Sequence, residues 1–268
     1  MQVNFYPPSS DLIPYVKYYW KVTTPYPAPS SISPSGYPEL IFQFGDPVLI
    51  KIGSMEKGSV PLALIAGQIT RPVNLTFSGM LQCFCVKLMP YSLRAIFRVN
   101  SSSFTDSTTD MGEVDPGLNQ YLFHKLTDAG NDMERVRIIE TTLRKMLRIN
   151  SDSINALSSS VLKHCLSVDK LNYGEIIANS GASRRTLERN IKQDIGLTPK
   201  KFLKIIRFNR AFSMLKERSD MNLQDIAYLN GYYDLPHFIN EFREYSGCSP
   251  IRYLRQGDKF NSLFTGLI

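Results

Sequence analysis

Two stretches of the chain repeat one pattern, and this repeat restricts the fold more than any other feature. Residues 172–199 and 223–250 both contain an apolar pair, a turn glycine, a polar helix start and apolar anchors, followed by Gly, then Ser or Thr, and Pro. Such an order is typical of two short helices joined by a tight turn. We therefore predict two copies of a helix-turn-helix unit.

The first copy carries clear local signals for a turn and for a helix start. Gly181 permits the turn conformation, and Ser183 is a good N-cap residue. Leu187 and Ile191 are spaced i, i+4 and define the buried side of the following helix. The polar side chains of that helix are then left outside: Arg184, Arg185, Glu188, Arg189 and Lys192.

The second copy carries equivalent signals. Gly231 is at the turn, Asp234 is at the N-cap, and Pro236 falls in the first helical turn, where its missing N–H costs nothing. Phe238 and Phe242 form the apolar stripe. The remaining side chains are expected to face outward: His237, Asn240, Glu241 and Arg243.

An amphipathic helix is predicted between the two copies. Residues 200–218 place apolar side chains at helical spacing and interleave them with basic ones. Such a helix is roughly 27 Å long, which compares with roughly 34 Å between successive major-groove faces of B-DNA. The apolar positions are Phe202, Ile205, Ile206, Phe212 and Leu215, and the basic ones are Lys201, Lys204, Arg207 and Arg210.

Positive charge is concentrated in the same part of the chain. Residues 161–268 hold 17 Lys and Arg against 11 Asp and Glu, whereas residues 1–160 hold 14 against 13. Residues 184–218 alone hold eleven basic and three acidic side chains. A basic run is often only a solvated helix face, but here it coincides with the repeat, which favours contacts with phosphates.

The C-terminal part resembles the DNA-binding domain of the AraC/XylS family of bacterial transcription regulators. The resemblance covers roughly residues 153–256 and implies seven helices, of which the second and third form one motif and the fifth and sixth the other. It implies double-stranded DNA as the partner, with RNA polymerase as a further candidate. It rests on Ser183, Arg185, Leu187, Arg189, Ile191, Gly196, Thr198, Pro199, Arg207, Ala211, Ile226, Ala227, Gly231, Tyr232, Asp234, Phe238, Phe242, Gly247, Ser249 and Pro250.

The resemblance also implies which side chains meet DNA. Arg185, Glu188, Arg189, Leu235, Pro236 and Asn240 match positions that face bases in the family. Arg184, Lys192, Lys200, Lys201 and Arg243 are expected to contact phosphates, which set affinity while base contacts set sequence.

Three positions depart from the family pattern. Ile177 stands where Ala is usual, so the helix contact there must be repacked, and Ile191 replaces a core Phe. Asn240 stands where Arg is frequent. Because Asn favours adenine and Arg favours guanine, the base preference of the second motif is open.

The first hundred residues have a different character. Proline and glycine punctuate short apolar runs, a pattern that indicates strands. We expect a small antiparallel barrel or sandwich followed by helices, and hence a β-rich N-terminal domain joined to an all-α C-terminal domain. The predicted strands are 39–44, 48–52, 62–66, 74–77 and 81–88, and the predicted helices are 91–99, 118–126 and 132–149.

The N-terminal part is more weakly similar to one branch of the same family, through residues 38–47, 67–68 and 71–72. Such domains often sense a small molecule or form a dimer. Glu39 and Arg71 are candidates for binding a polar ligand inside the barrel, with surface or structural roles as the alternative. Helix 132–149 either forms a homodimer surface or covers the sheet.

No enzyme, cofactor or metal site is predicted. The three histidines, His124, His164 and His237, lie far apart, and no phosphate loop, dinucleotide motif or nucleophile elbow is present. Cys83 and Cys85 are interpreted as ordinary strand cysteines, with a thiol sensor or soft-metal site as the alternative.

The expected organisation is an N-terminal domain over 1–150, a DNA-binding domain over 153–256 and a tail over 257–268. Four cysteines without framework spacing and the lack of a long apolar run favour a reducing cytoplasm and no membrane role. A non-specific architectural DNA binder, and a ligand-modifying barrel enzyme with a DNA-targeting appendage, remain alternative functions.

Overall fold

The structure is a computed structural model of the chain. It describes residues 1–25, 27–52, 55–59, 62–149, 158–162, 173–218 and 221–256. We call residues 1–149 the sandwich region and residues 158–256 the helical region.

Two antiparallel sheets form the sandwich region. The larger sheet has the strand order β1-β2-β9-β4-β7-β10, and the smaller has the order β3-β8-β5-β6. The strands are β1 Gln2–Tyr6, β2 Val16–Thr24, β3 Ser30–Ile32, β4 Glu39–Gln43, β5 Val48–Ile52, β6 Met55–Ser59, β7 Ala63–Ala66, β8 Val73–Phe77, β9 Leu81–Leu88 and β10 Thr108–Asp110.

The central strands of the larger sheet, β2, β9, β4 and β7, have buried residues on both faces. Along β9, Cys83 and Cys85 point toward the smaller sheet, while Phe84 and Val86 point away from it, as strand alternation requires. Helices cover this second face. They are α1 Ser92–Phe97, α2 Met111–Val114, α3 Pro116–Asp128 and α4 Asp132–Ile149.

Helix α4 covers the sheet, which is one of the two roles proposed for it from the sequence, the other being a homodimer surface. Val136, Ile139 and Leu143 are buried in the same apolar cluster as the strand residues Phe42 and Phe84. Its start is tied to the sheet by Asp132, which accepts hydrogen bonds from the Tyr6 hydroxyl at 2.8 Å and the Lys21 ammonium at 3.2 Å. The apolar stripe is therefore used within the chain.

The helical region contains seven helical segments among its described residues, as the resemblance implies. Residues 158–162 are helical, and Pro199 opens the long central helix at its N1 position. The others are α5 Tyr173–Asn179, α6 Arg184–Ile195, α7 Pro199–Glu217, α8 Leu223–Leu229, α9 Leu235–Ser246 and α10 Pro250–Gln256.

The predicted elements are all present, with small shifts at their ends, but the prediction was incomplete. Helix α1 ends at Phe97 rather than residue 99, because Arg98 adopts a left-handed conformation with φ 56°. Strands β1, β2, β3, β6 and β10 were not predicted. No helix of the described ranges is long and apolar enough to cross a bilayer.

Candidate DNA-binding surface and inter-sheet cavity

The first helix-turn-helix unit consists of α5 and α6. Gly181 makes the turn with φ +64°, and the Ser183 hydroxyl accepts a hydrogen bond from the Thr186 amide at the start of α6. Leu187 and Ile191 are fully buried. Helix α6 ends at Ile195, and Gly196 follows as a C-cap in the left-handed conformation. The predicted turn, N-cap and buried side of this helix are confirmed.

The second unit consists of α8 and α9. Gly231 makes the turn with φ +74°, and the Asp234 carboxylate accepts a hydrogen bond from the His237 amide at 2.7 Å. Phe238 and Phe242 are fully buried and their rings pack edge to face. Both units thus share a turn glycine with positive φ, a side-chain N-cap and a buried apolar pair.

The predicted DNA-facing side chains lie on the outer faces of α6, α9 and the start of α7. Glu188 pairs with Arg184 at 3.0 Å across one helical turn. Leu235 and Lys201 are half-buried, and Glu188 is partly exposed. The others are exposed: Arg184, Arg185, Arg189, Lys192, Lys200, Pro236, Asn240 and Arg243.

Glu241 is a correction to the sequence interpretation, which placed it outside. It is only 3% exposed, and its carboxylate accepts hydrogen bonds from the Arg207 guanidinium of α7 at 2.5 and 3.1 Å. Arg207 also lies over the Tyr232 ring at 4.2 Å. A buried carboxylate requires such pairing, and the pair fixes α9 against the central helix.

The sandwich region docks on the end of α6 that is remote from the predicted base-facing side chains. The Ser101 hydroxyl donates to the Asp194 carbonyl, and the Thr105 hydroxyl donates to the Gly196 carbonyl, each at 2.7 Å. Arg94 forms an ion pair with the Asp194 carboxylate at 2.9 Å. The N-terminal half of α6 is left open.

A second docking contact lies on α7. The Asn209 amide donates to the backbone carbonyls of Pro34 and Ser35, both at 3.1 Å. Gly36 adopts φ +81°, and a Cβ at this position would lie 3.3 Å from Ile206 and 3.5 Å from Phe202. We call residues 33–37 the docking segment.

A cavity of about 110 Å³ lies between the two sheets. Most of its wall is aliphatic, aromatic or thiol, and it includes Trp20, the single tryptophan of the chain. Three residues of the docking segment, Ser33, Ser35 and Tyr37, also line it. The cavity and the helical region therefore share one wall segment.

Glu39 is the one acidic residue among those that line this cavity. It is 5% exposed, and its Oε1 accepts from the Lys87 ammonium at 2.8 Å, across the β4–β9 register. No donor in the described ranges reaches its Oε2. Sequence reasoning named Glu39 but missed Lys87, whose burial is signalled only by its place within an apolar strand.

The structure separates Arg71 from Glu39. Arg71 is exposed, precedes Pro72 at the start of β8, and does not line the cavity. The proposed pairing of the two on one ligand is thus corrected, because the guanidinium keeps its hydration outside the sandwich.

The two strand cysteines are buried and line the cavity. Burial raises the pKa of Cys83 to about 12 and that of Cys85 well above its usual value, so both are protonated thiols that behave as small apolar groups. The described residues contain no cluster of three or more metal-ligating side chains. His164, Cys165 and residues 257–268 lie outside the described residues.

Two capped helices with exposed basic and amide side chains, joined by a long central helix, define a double helix-turn-helix DNA-binding domain. Residues 177–256 match the family described as "Helix-turn-helix domain", and residues 4–110 match a domain of unknown function, DUF6597. The C-terminal part of the chain therefore contains a helix-turn-helix domain, the type of domain that its resemblance to the AraC/XylS family implies.

Known proteins similar to the chain include the HTH-type transcriptional activator RhaS of Escherichia coli strain SE11, with 33% identity over 118 residues. That match covers 44% of this chain and 41% of RhaS, so the chain spans about two fifths of the length of the curated relatives it matches.

Two solved structures are also similar. ToxT from Vibrio cholerae aligns over 88% of this chain and 98% of its own, with 9% identity and a TM-score of 0.48. A transcriptional regulator with an AraC-type DNA-binding domain from Chromobacterium violaceum aligns over 40% of this chain and 99% of its own, with 29% identity and a TM-score of 0.34.

Proposed function

We propose that the chain is a sequence-specific transcription regulator of the bacterial cytoplasm. The observation that carries this proposal is the pair of capped helices, α6 and α9, whose outer faces stay exposed while the sandwich region docks elsewhere. The central helix α7 has 19 residues and is about 28 Å long, a separation suited to successive major-groove segments.

The side chains have two proposed roles. Arg185, Glu188 and Arg189 on α6, with Leu235, Pro236 and Asn240 on α9, read base edges. Arg184, Lys192, Lys200, Lys201 and Arg243 hold phosphates. The division into an N-terminal domain over 1–150 and a DNA-binding domain over 153–256 belongs to the same proposal, with the cavity as the site of a small-molecule effector.

The first test is selective binding. The purified chain is mixed with genomic fragments at about 150 mM salt, where phosphate contacts alone hold DNA weakly, and the retained DNA is sequenced. We expect a few sites with two short sequence blocks about one helical turn apart. Uniform retention would instead support the architectural alternative, and the absence of retention would contradict DNA binding.

Single substitutions then separate the two roles. Arg189→Ala is expected to cost roughly 1–3 kcal/mol on the selected site and little on random DNA. Lys201→Ala is expected to weaken binding to both DNAs equally and to reduce the salt slope by about one unit. Equal losses for Arg189→Ala on both DNAs would reassign Arg189 to phosphate, and an unchanged slope for Lys201→Ala would remove Lys201 from the interface.

A further inference from the structure

The inter-sheet cavity has a chemical character that restricts what it can hold. Its volume, about 110 Å³, is close to the roughly 150 Å³ of an engineered apolar cavity that admits benzene. Its aliphatic and aromatic walls favour a molecule with a small hydrocarbon body, because such a body loses contact with water on entry. The cavity lacks room for a large polar ligand.

Among the polar side chains that line this cavity, Glu39 offers a buried acceptor without a donor. The Glu39 carboxylate is nine-tenths buried or more, lines the cavity and leaves Oε2 without a donor in the described part of the chain. A buried acceptor without a partner costs free energy, so a ligand that donates a hydrogen bond to Oε2 recovers that cost. A ligand that offers only an acceptor would leave Oε2 without a donor and place two acceptors against each other.

The charges around Glu39 favour a neutral donor in the ligand over a cationic one. Lys87 lies 2.8 Å from Oε1, and Lys17 lies 4.2 Å from the centre of the Tyr37 ring, over which Lys87 also lies at 6.0 Å. Lys17 also interacts electrostatically with Glu39, so two ammonium groups lie near one carboxylate. A cationic ligand would add a third positive charge, whereas a neutral O–H or N–H group adds none.

We propose that this cavity binds a small neutral molecule with a compact hydrocarbon body and one hydrogen-bond donor, such as an alcohol, a phenol or an N–H heterocycle, held by Glu39 Oε2. The proposal rests on the proposed regulatory function, since it names the class of effector. It does not depend on DNA binding for its test.

Trp20 allows a direct measurement. It is the single tryptophan of the chain and lines the cavity, so its emission reports occupancy of this site. Four ligands that share one six-membered ring are titrated into the full chain: cyclohexanol, cyclohexanone, cyclohexanecarboxylate and cyclohexylammonium. A parallel titration of free N-acetyltryptophanamide corrects for the weak ultraviolet absorption of cyclohexanone and for its collisional quenching.

We expect a saturable change of Trp20 emission with cyclohexanol, at an affinity at least tenfold above that for each of the other three ligands. Ile50→Phe, which fills the cavity from β5, is expected to abolish the change while circular dichroism shows a folded chain. In Glu39→Gln, the amide oxygen accepts from Lys87 and its NH₂ group faces the cavity. We therefore expect the preference for cyclohexanol over cyclohexanone to be lost or reversed.

Three results would overturn the proposal. Strongest binding of cyclohexanecarboxylate would assign the cavity to anions held by the lysines, and strongest binding of cyclohexylammonium would assign it to cations. No change with any ligand would remove the site. If Glu39→Gln fails to fold, the ranking of the four ligands on the unaltered chain still decides. Saturable cyclohexanol binding without selective DNA retention would keep the site and reject the regulatory function.

Discussion

At the scale of single residues, the charges that sequence inspection treats alike divide into two groups. Arg189 and Arg207 both belong to the basic run of the C-terminal part, yet Arg189 is exposed and Arg207 is committed to a buried carboxylate. Glu188 and Glu241 differ in the same way. Whether such a residue is exposed or buried depends on where the neighbouring helix packs, and a helical wheel of one helix does not show this.

The Arg207–Glu241 pair supports a stability prediction. Glu241→Ala leaves the Arg207 guanidinium, which is 19% exposed, without its carboxylate partner and is expected to cost about 1.5–3 kcal/mol of unfolding free energy in urea titrations. Glu244→Ala, at an exposed position of the same helix, is the matched control and is expected to change it by less than about 0.5 kcal/mol. Similar values for the two variants would show that the pair contributes little.

Lys17 supports a prediction about pH. Burial and the nearby Lys87 lower the pKa of Lys17 to about 8 from 10.5. The unfolded chain therefore binds this proton more tightly, so the contribution of Lys17 to the free energy of unfolding rises with pH from about 8 to 10.5 and is flat below 8.

The comparison with Lys17→Met isolates this group from other titrations. Between pH 7.5 and 9.5 the unaltered chain is expected to gain roughly 1–2 kcal/mol relative to the variant, as measured by urea unfolding at each pH. A constant difference between the two proteins across this range would contradict the lowered pKa.

At the scale of helices and strands, the sequence predicted some elements far better than others. The units built from α5–α6 and α8–α9 combine caps, turn glycines and helical periodicity, so their type and their ends agree with the structure. Strand β2, in contrast, was missed. It is buried on both faces and lacks strict alternation, so neither periodicity marked it, although Pro14 and Pro25 lie just outside its ends.

The site was predicted to a similar extent. The outer faces of α6 and α9 follow from periodicity within each helix, so their exposed residues were found, except that Glu241 was also placed outside and is buried. The cavity depends on residues from both sheets, and the docking segment depends on contacts between residues more than 170 positions apart. Contacts of that range leave no periodic signal in the chain.

Two turn glycines allow an element-scale test. Gly196 ends α6 with φ +94°, and a Cβ there would lie 2.9 Å from the Ser101 carbonyl oxygen. Gly181 has φ +64° with nothing within 4 Å of such a Cβ, so it is a control for backbone strain alone. Gly181→Ala is expected to cost roughly 1–2 kcal/mol, and Gly196→Ala is expected to cost more, because the sandwich region must also move. Equal losses in thermal unfolding would mean that the contact is not tight.

At the scale of the whole molecule, the sandwich region contacts the helical region at two places, the C-terminal end of α6 and the side of α7. Tyr91 of the sandwich region belongs to the apolar core of the helical region, and α1 and the 3₁₀ helix Ser101–Phe104 pack against the end of α6. The docking segment adds the contact with α7. Helices α6 and α7 are thus held by the region that contains the cavity.

Asn209→Leu tests the contact with the docking segment. Loss of its two hydrogen bonds to the carbonyls of Pro34 and Ser35 is expected to increase amide hydrogen exchange in residues 33–37, while the core of the helical region keeps its protection. Ser213→Ala, one turn further along the same helix, removes a hydroxyl that donates to Glu217 rather than to the docking segment, so it is the control and should leave exchange there unchanged. Unaltered exchange in Asn209→Leu would show that apolar packing against Gly36 is sufficient.

Residues 33–37 form part of the cavity wall on one side and contact the central helix α7 on the other. A molecule in the cavity that displaces this segment would change how the reading helices are held, and thermodynamic linkage makes that influence mutual. A molecule that raises affinity for an operator tenfold must itself be held tenfold more tightly by the operator-bound protein. Under the proposed function, copies on their target would respond at lower concentrations than free copies, and sensitivity to the molecule would depend on how many target sites the chromosome offers.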